Sequence, residues 1–351
     1  MKINLKYKTI CKTEETYFIA DIAANHDGNI QRAKDLIFLA KDAGADCAKF
    51  QHFKAKKIVS RKGFQSLADI ETHQSSWQKS VDEIYDHYHT RAEWDNELIE
   101  ACNEAEIEFM TTPYDIEAVK HYANYCRGLK IGSGDITYHQ LIEQACLTNL
   151  PIFLATGAAD LYETEQAVAL IRRHGNPYCL FQCNTNYTGS LENFRYVNLN
   201  VLKHFSLSFP EAILGLSDHT PGHAAVLGAI ALGARVIEKH FTDDNSREGP
   251  DHKFALNPVS WREMVDRTRE LELALGDGVK RVEYNEVNPK IVQRRAVRSS
   301  RSLPIGHTIT ESDLKYLRPC PDGAYSPSEY RSLIGEVTTK EYEEDDAFTR
   351  N

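Results

Sequence analysis

From Tyr17 to Leu275 the chain alternates short apolar runs with amphipathic stretches eight times over, and no other feature restricts its fold as strongly. The runs are Tyr17 to Ala23, Asp46 to Gln51, Glu108 to Thr112, Gly128 to Ile131, Pro151 to Ala155 and Tyr178 to Gln182. Two more start at Ile213 and Arg235 and end in Ser217-Asp218-His219 and Glu238-Lys239-His240. Each has strand length and is bounded by turn-forming residues. Between them lie stretches with helical spacing, such as Ile30 to Ala43, Glu93 to Ala105 and Tyr162 to His174, and Pro258 to Leu275 closes the set. Strands and helices in strict alternation predict a parallel α/β sheet, and eight units in roughly 260 residues predict a (β/α)8 TIM barrel with its site at the C-terminal strand ends. An open doubly wound sheet is the alternative, but no GxGxxG follows the first strand.

The chain of 351 residues, 42% hydrophobic, has room for such a barrel and a small appendage. We expect the barrel over residues 1–276 after a hairpin-like start, a charged and turn-rich linker over 277–294, and a separate module over 295–351 made of short strands. A net charge of -10 and a pI near 5.8 exclude general nucleic-acid or anionic-membrane binding and leave room only for a local basic pocket. No run reaches the length of a membrane span and the N-terminus lacks a signal-peptide pattern, so a cytoplasmic protein is expected. Eight cysteines without a CxxC pair fit reduced core thiols, Cys183 among them.

At the strand ends the residue types change. His219 and His240 close successive strands one βαβ unit apart, each beside a carboxylate, so they can face one metal ion. Two buried structural histidines are the alternative. Lys49 and Lys130 stand where a purely structural strand prefers Val or Ile, and with Ser133, Ser217 and nearby glycine amides they form a candidate cradle for a phosphate and a carboxylate. A strand-end lysine also suits Schiff-base chemistry, but two beside a histidine pair favour an anionic substrate facing a Lewis acid. Asn25, Gln51, Thr112, Thr156, Asn184 and Glu238 occupy the same level. The aperiodic stretch Phe53 to His89, with HQSSWQKS, reads as a long insertion over the mouth.

The segments FIADIAANHDGN, GADCAKFQ, LKIGSGDI, LFQCNTNYT, LGLSDHTPGH, GARVIEKHFT and GPDHKFALNP resemble the successive motifs of the sialic acid (N-acetylneuraminate) synthases. The tail RRAVRSSRSLPIGHTITESDLKYLRP is similar to their C-terminal antifreeze-like (SAF) domain. The resemblance implies a C–C bond-forming transferase that condenses phosphoenolpyruvate with an N-acylated aldose, such as N-acetylmannosamine, into a nine-carbon 2-keto acid and releases phosphate. It implies a divalent metal, manganese before magnesium or cobalt, on His219 and His240. It places Lys49, Lys130, Ser133, Ser217 and Thr185 around phosphoenolpyruvate. Gln51, Thr112, Tyr114, Asp135, Tyr187, Glu238, Asp251 and Arg318 fall on the sugar side, and Asp21 is the acid or base for water attack. A domain-swapped homodimer is implied as well, in which Arg318 reaches the partner's site.

Several positions depart from the family pattern. Asp21 and Asp135 stand where glutamate is usual, Ala155 where serine is frequent, Gln182 where histidine is frequent, and Thr185 where Asn or Ser is common. The resemblance places these changes around ligands rather than in the core. Two other functions compete: another metal-dependent phosphoenolpyruvate-using synthase or aldolase, and a non-catalytic sugar-binding homologue.

Overall fold

Side-chain parity sorts every barrel strand. The computed structural model describes residues 1–66, 77 and 79–350. Of the segment HQSSWQKS only Trp77, Lys79 and Ser80 fall among them, and the rest lies outside the described residues. The chain opens with an antiparallel hairpin of β1 (Lys2–Asn4) and β2 (Thr9–Cys11). The barrel strands follow: β3 (Tyr17–Asp21), β4 (Cys47–His52), β5 (Glu108–Pro113), β6 (Leu129–Ile131), β7 (Ile152–Ala155), β8 (Tyr178–Cys183), β9 (Ile213–Asp218) and β10 (Val236–His240). They pair in parallel in sequence order, and β10 pairs with β3 to close the barrel. The predicted eight-stranded barrel is what the chain forms.

Because successive side chains point to opposite faces of a strand, Tyr17, Ile19, Cys47, Met110, Phe153 and Phe181 fill the interior, and Ile3 and Ile10 of the hairpin join the same cluster. Lys6 N–H donates to Glu108 Oε2 at 2.7 Å and fixes the hairpin to β5. The alternate residues, among them Phe18, Ala20, Ala48, Phe50, Leu154 and Leu180, pack beneath the helices. Gly215 faces inward, and a Cβ there would stand 2.7 Å from the Phe181 ring, so the strand needs glycine to admit that ring. This apolar packing fills the lower barrel. The last inward position of several strands is polar, and that layer forms the floor of the mouth.

The helices covering the barrel are α1 (Ile30–Asp42), α5 (Asp95–Glu104), α6 (Ile116–Tyr122), α7 (His139–Cys146), α8 (Leu161–His174), α10 (Ala224–Ala231) and α11 (Pro258–Leu275). Capping boxes start α8 at Asp160 and α11 at Asn257, each side chain satisfying free N–H groups of the first turn. Three short helices interrupt the expected insertion: α2 (Ala55–Ile58), α3 (Arg61–Ser66) and α4 (Val81–Tyr88). A further helix without a sequence expectation, α9 (Val201–Ser208), precedes β9.

Contacts divide the chain into two compact units, Met1–Gly276 and Asp277–Asn351. In the second, the stretch expected to be a turn-rich linker instead holds helix α12 (Val287–Gln293), and β11 (Ala296–Ser299) pairs antiparallel with β12 (Leu314–Leu317). Its own core includes Val297, Leu303, Ile309 and Phe348, and the buried Asp313 carboxylate is held by Arg301, His307 and Thr310. Seven of the eight cysteines are buried, and all eight are unpaired. Among the described residues no helix is long and apolar enough to cross a membrane.

Candidate active site

Four charged side chains from four strands meet inside the barrel mouth. Asp21 lies opposite Lys49 and His240 in the parallel ladder, and Ser217 lies opposite Glu238. Lys49 Nζ donates to Asp21 Oδ2 at 2.6 Å and stands 3.7 Å from Glu238 Oε1, which also receives Lys130 Nζ at 2.5 Å and Ser217 Oγ at 3.2 Å. Lys49 and Lys130 are each only 2% exposed. Charges so deep persist only when paired, and here two ammonium groups and two carboxylates sum to zero. Burial alone would raise the Asp21 carboxyl, but the Lys49 ammonium outweighs it and holds it below the usual range. Glu238 is lowered likewise, because Lys130 and Lys49 overcome its desolvation. Glu238 Oε2 is left buried without a hydrogen-bond partner.

The histidines stand beside this cluster, their ring centroids 5.4 Å apart. His219 Nδ1 donates to the Asn184 carbonyl at 2.8 Å, which leaves Nε2 as the free lone pair. His240 Nδ1 is buried without a hydrogen-bond partner; its nearest acid there is Asp251, at 3.9 Å. Burial pushes His240 down to about 3 and lowers His219 as well, so both rings are neutral, the form in which imidazole donates to a metal. No group of three or more His, Cys, Asp or Glu side chains among the described residues could hold a metal ion. Two neutral imidazoles with an orphaned nitrogen fit a divalent cation that takes its other ligands from water and substrate oxygens.

The remaining expected residues divide by position. Thr112 Oγ1 receives Lys49 Nζ at 3.3 Å, and Tyr114 OH donates to Gln51 Oε1 at 3.5 Å. Ser133 Oγ accepts from Gly157 N–H at 2.9 Å, and a Cβ on Gly157 would approach the Thr185 methyl to 2.5 Å, so Ser133, Gly157 and Thr185 form one tight corner. Asp135 follows in the same 3-10 turn, and burial lifts its carboxyl to about 6. The Tyr187 ring lies 4.3 Å from His219, centroid to centroid. Asp251, raised to about 6 by burial, accepts from Ala24 N–H at 3.2 Å. Arg318 belongs to the second unit, just after β12.

Two residues named at this level do structural work instead. Asn25 Nδ2 donates to Phe241 O and ties the first strand's loop to the last, and Thr156 Oγ1 donates to Phe181 O. Gln182 points outward to Val197 O, so its departure from the family pattern does not face the mouth. Two features were missed. Thr242 Oγ1 and Asp27 Oδ1 grip the His252 ring at 2.7 and 2.9 Å, anchoring the loop that carries Asp251; the GPDH motif was the available signal. A cavity of about 160 Å³ over the mouth is walled on its outer side by Phe53, Ile58, Trp77, Ile84, Tyr85 and Tyr88. The aromatics crowded into that aperiodic stretch were its only mark in the sequence.

A closed parallel barrel with buried lysines and a histidine pair in its mouth defines a class of enzyme that handles an anionic substrate. The NeuB family profile matches residues 36–280. The chain is 33% identical over 337 residues to an N,N'-diacetyllegionaminic acid synthase of Campylobacter jejuni, covering 95% of this chain and 98% of that one. It is 30% identical to human N-acetylneuraminate-9-phosphate synthase over 94% and 90% of the two chains. The crystal structure of an N-acetylneuraminic acid synthetase from Leptospira borgpetersenii superposes with a TM-score of 0.73 at 25% identity, covering 82% of this chain and 95% of that one. The chain belongs to the NeuB family of sialic-acid-synthase-type enzymes. It is a phosphoenolpyruvate-dependent enzyme that forms a C–C bond.

Proposed function

We propose that the protein condenses phosphoenolpyruvate with an open-chain N-acylated aldose, N-acetylmannosamine or a related amino sugar, to give a nine-carbon 2-keto sugar acid and phosphate. The observation that carries this reading is the convergence of Lys49 and Lys130 with two neutral histidines on one mouth. Lys49, Lys130, Ser133, Ser217 and Thr185 bind phosphoenolpyruvate. Gln51, Thr112, Tyr114, Asp135, Tyr187, Glu238 and Asp251 line the acceptor side. His219 and His240 would hold a divalent metal, manganese before magnesium or cobalt, which when bound polarises a carbonyl oxygen.

The C2–C3 π pair of phosphoenolpyruvate forms the new bond from C3 to the aldehyde carbon as the carbonyl π bond breaks, and the aldehyde oxygen takes up a proton to become a hydroxyl. Water then adds at C2, and the C–O bond to phosphate breaks as the resulting hydroxyl gives up its remaining proton, leaving the keto group and free phosphate. Asp21 takes the proton from that water, and Lys49, 2.6 Å away, keeps its carboxylate ionised and oriented. The small unit is a SAF-type module preceded by a connecting segment at 277–294. Its exposed Val279, Val282, Tyr284, Val287 and Val292 support a domain-swapped homodimer in which Arg318 reaches the partner's acceptor. Eight unpaired thiols support a reducing, cytoplasmic setting.

The test is phosphate release from phosphoenolpyruvate with manganese and a panel of N-acyl aldoses. Release is expected only when both substrates are present, with the sugar acid formed in equal amount. Release that ignores the aldose, or none with any of them, defeats the reading.

A further inference from the structure

We infer that the buried pair of Asp218 and Lys239 is a positioning device for the two histidines, fixing where His219 stands relative to His240. The inference rests on the metal role proposed above for those rings and concerns what holds them to each other. Along β9 and β10 successive side chains alternate in direction. Leu214 and Leu216 of β9 and Ile237 of β10 point outward into the apolar layer beneath the helices, and Asp218 and Lys239 continue those two rows. Both side chains are only 1% exposed. Lys239 Nζ donates to Asp218 Oδ2 at 2.5 Å and to Thr220 O at 2.6 Å. Asp218 Oδ1 in turn accepts from the Thr220 N–H at 3.0 Å and from its hydroxyl at 2.9 Å.

This link takes over where the sheet stops. The ladder between the two strands ends with Asp218 opposite Lys239, whereas His240 is still paired, opposite Asp21. His219 lies one residue past the end of β9, where register no longer sets its direction. The Asn184 carbonyl orients its ring from the loop after β8. Lys239 fixes its backbone from the other side: next to His240 in its own strand, it holds the two residues that flank His219. For stability alone the pair is a poor choice, since desolvation of two ions offsets most of their attraction and apolar side chains serve an apolar layer as well or better. What it supplies is a short, directional link. Metal sites need one, because distances from metal to ligand hold to within about 0.2 Å.

The test combines Asp218→Asn with Lys239→Met in the intact chain, because Lys239→Met alone strands a buried carboxylate and risks unfolding. In the double variant the asparagine still accepts from Thr220 and both charges leave together, so the urea midpoint should stay near that of the wild type. Calorimetric titration with manganese, without substrate, should show affinity weakened by about thirtyfold, the scale found for groups that orient metal ligands. Nitrogen-15 spectra of histidine-labelled, metal-free protein give a second readout, with the His219 signals assigned by their loss in His219→Ala. The wild type should show one His219 tautomer, protonated at Nδ1 toward Asn184 O, and the double variant a mixture of both. If the wild type takes up no manganese, the metal role falls and the tautomer alone decides the inference. A folded double variant that keeps the wild-type manganese affinity, or in that case the single tautomer, overturns it.

Discussion

Removing Lys130 separates what the charge cluster does for the fold from what it does for the substrate. Its ammonium lies 2.5 Å from Glu238 Oε1, both side chains at most 5% exposed. At an effective dielectric of about 20 that contact is worth about 7 kcal/mol of gross attraction, much of it offset by the desolvation of both ions. Lys130→Met leaves a buried carboxylate short of its partner, at a cost of about 3–5 kcal/mol, a large share of the 5–15 kcal/mol typical of a domain. The methionine still fills the space above the Phe181 ring, 4.9 Å from the ammonium it replaces. Adding Glu238→Gln returns the cluster to neutrality, with Lys49 and Asp21 paired at 2.6 Å. Urea denaturation of the double variant should recover most of the lost stability, while its kcat/KM for phosphoenolpyruvate, read by phosphate release, stays at least about a hundredfold down. A double variant as unstable as Lys130→Met would refute the electrostatic argument, and one that regains activity would refute the role in binding phosphoenolpyruvate.

Three further outcomes follow from the same geometry. His219→Ala and His240→Ala should each lower manganese affinity and abolish turnover with unchanged far-ultraviolet circular dichroism; full activity in either denies the metal role. Burial holds His26 at about 4, against the pull of Asp27 and with His52, His89 and Arg32 nearby, so its ring is neutral in the fold. The unfolded chain binds a proton there below about pH 6.5, so stability should fall by about 3 kcal/mol as pH drops from 6.5 to 4, and His26→Asn should lose that part of the slope; identical slopes refute it. Mixing Arg318→Ala with His219→Ala subunits should restore up to one working site per dimer if Arg318 acts across the interface, and no recovery despite subunit exchange denies it.

How much of this was legible depends on what kind of information each feature uses. The eight strands were readable because period-two and period-3.6 patterns are local, and parity carried the polar layer with them: once Phe181 faces inward, Lys130, Lys49 and Glu238 can be placed by counting. The same parity put Gln182 outside, between inward Phe181 and Cys183, although the resemblance had suggested a ligand neighbour. Asn25 and Thr156 lie past the ends of their strands, where parity no longer fixes direction and backbone carbonyls compete for their side chains. The aromatic wall was hidden for a related reason. Phe53, Trp77 and Tyr85 share no period, and only the fold of α2 and α4 over the mouth brings them together.

The balance of charge in the mouth links its two halves. Asp21, Glu238, Lys49 and Lys130 cancel, and both histidines are neutral, so these side chains by themselves supply no surplus positive charge for a substrate with about three negative ones. A divalent cation on His219 and His240 would supply that surplus close to the lysines. The affinities for cation and phosphoenolpyruvate should therefore be coupled, each tightening the other by the same factor, as linkage requires. Calorimetric titration of phosphoenolpyruvate with and without manganese measures that factor without turnover, and about tenfold or more is expected. His240→Ala should erase the coupling while leaving the metal-free affinity in place. Equal affinities in the two titrations would mean that the lysines carry the anion alone and that the neutral cluster is not what sets its binding.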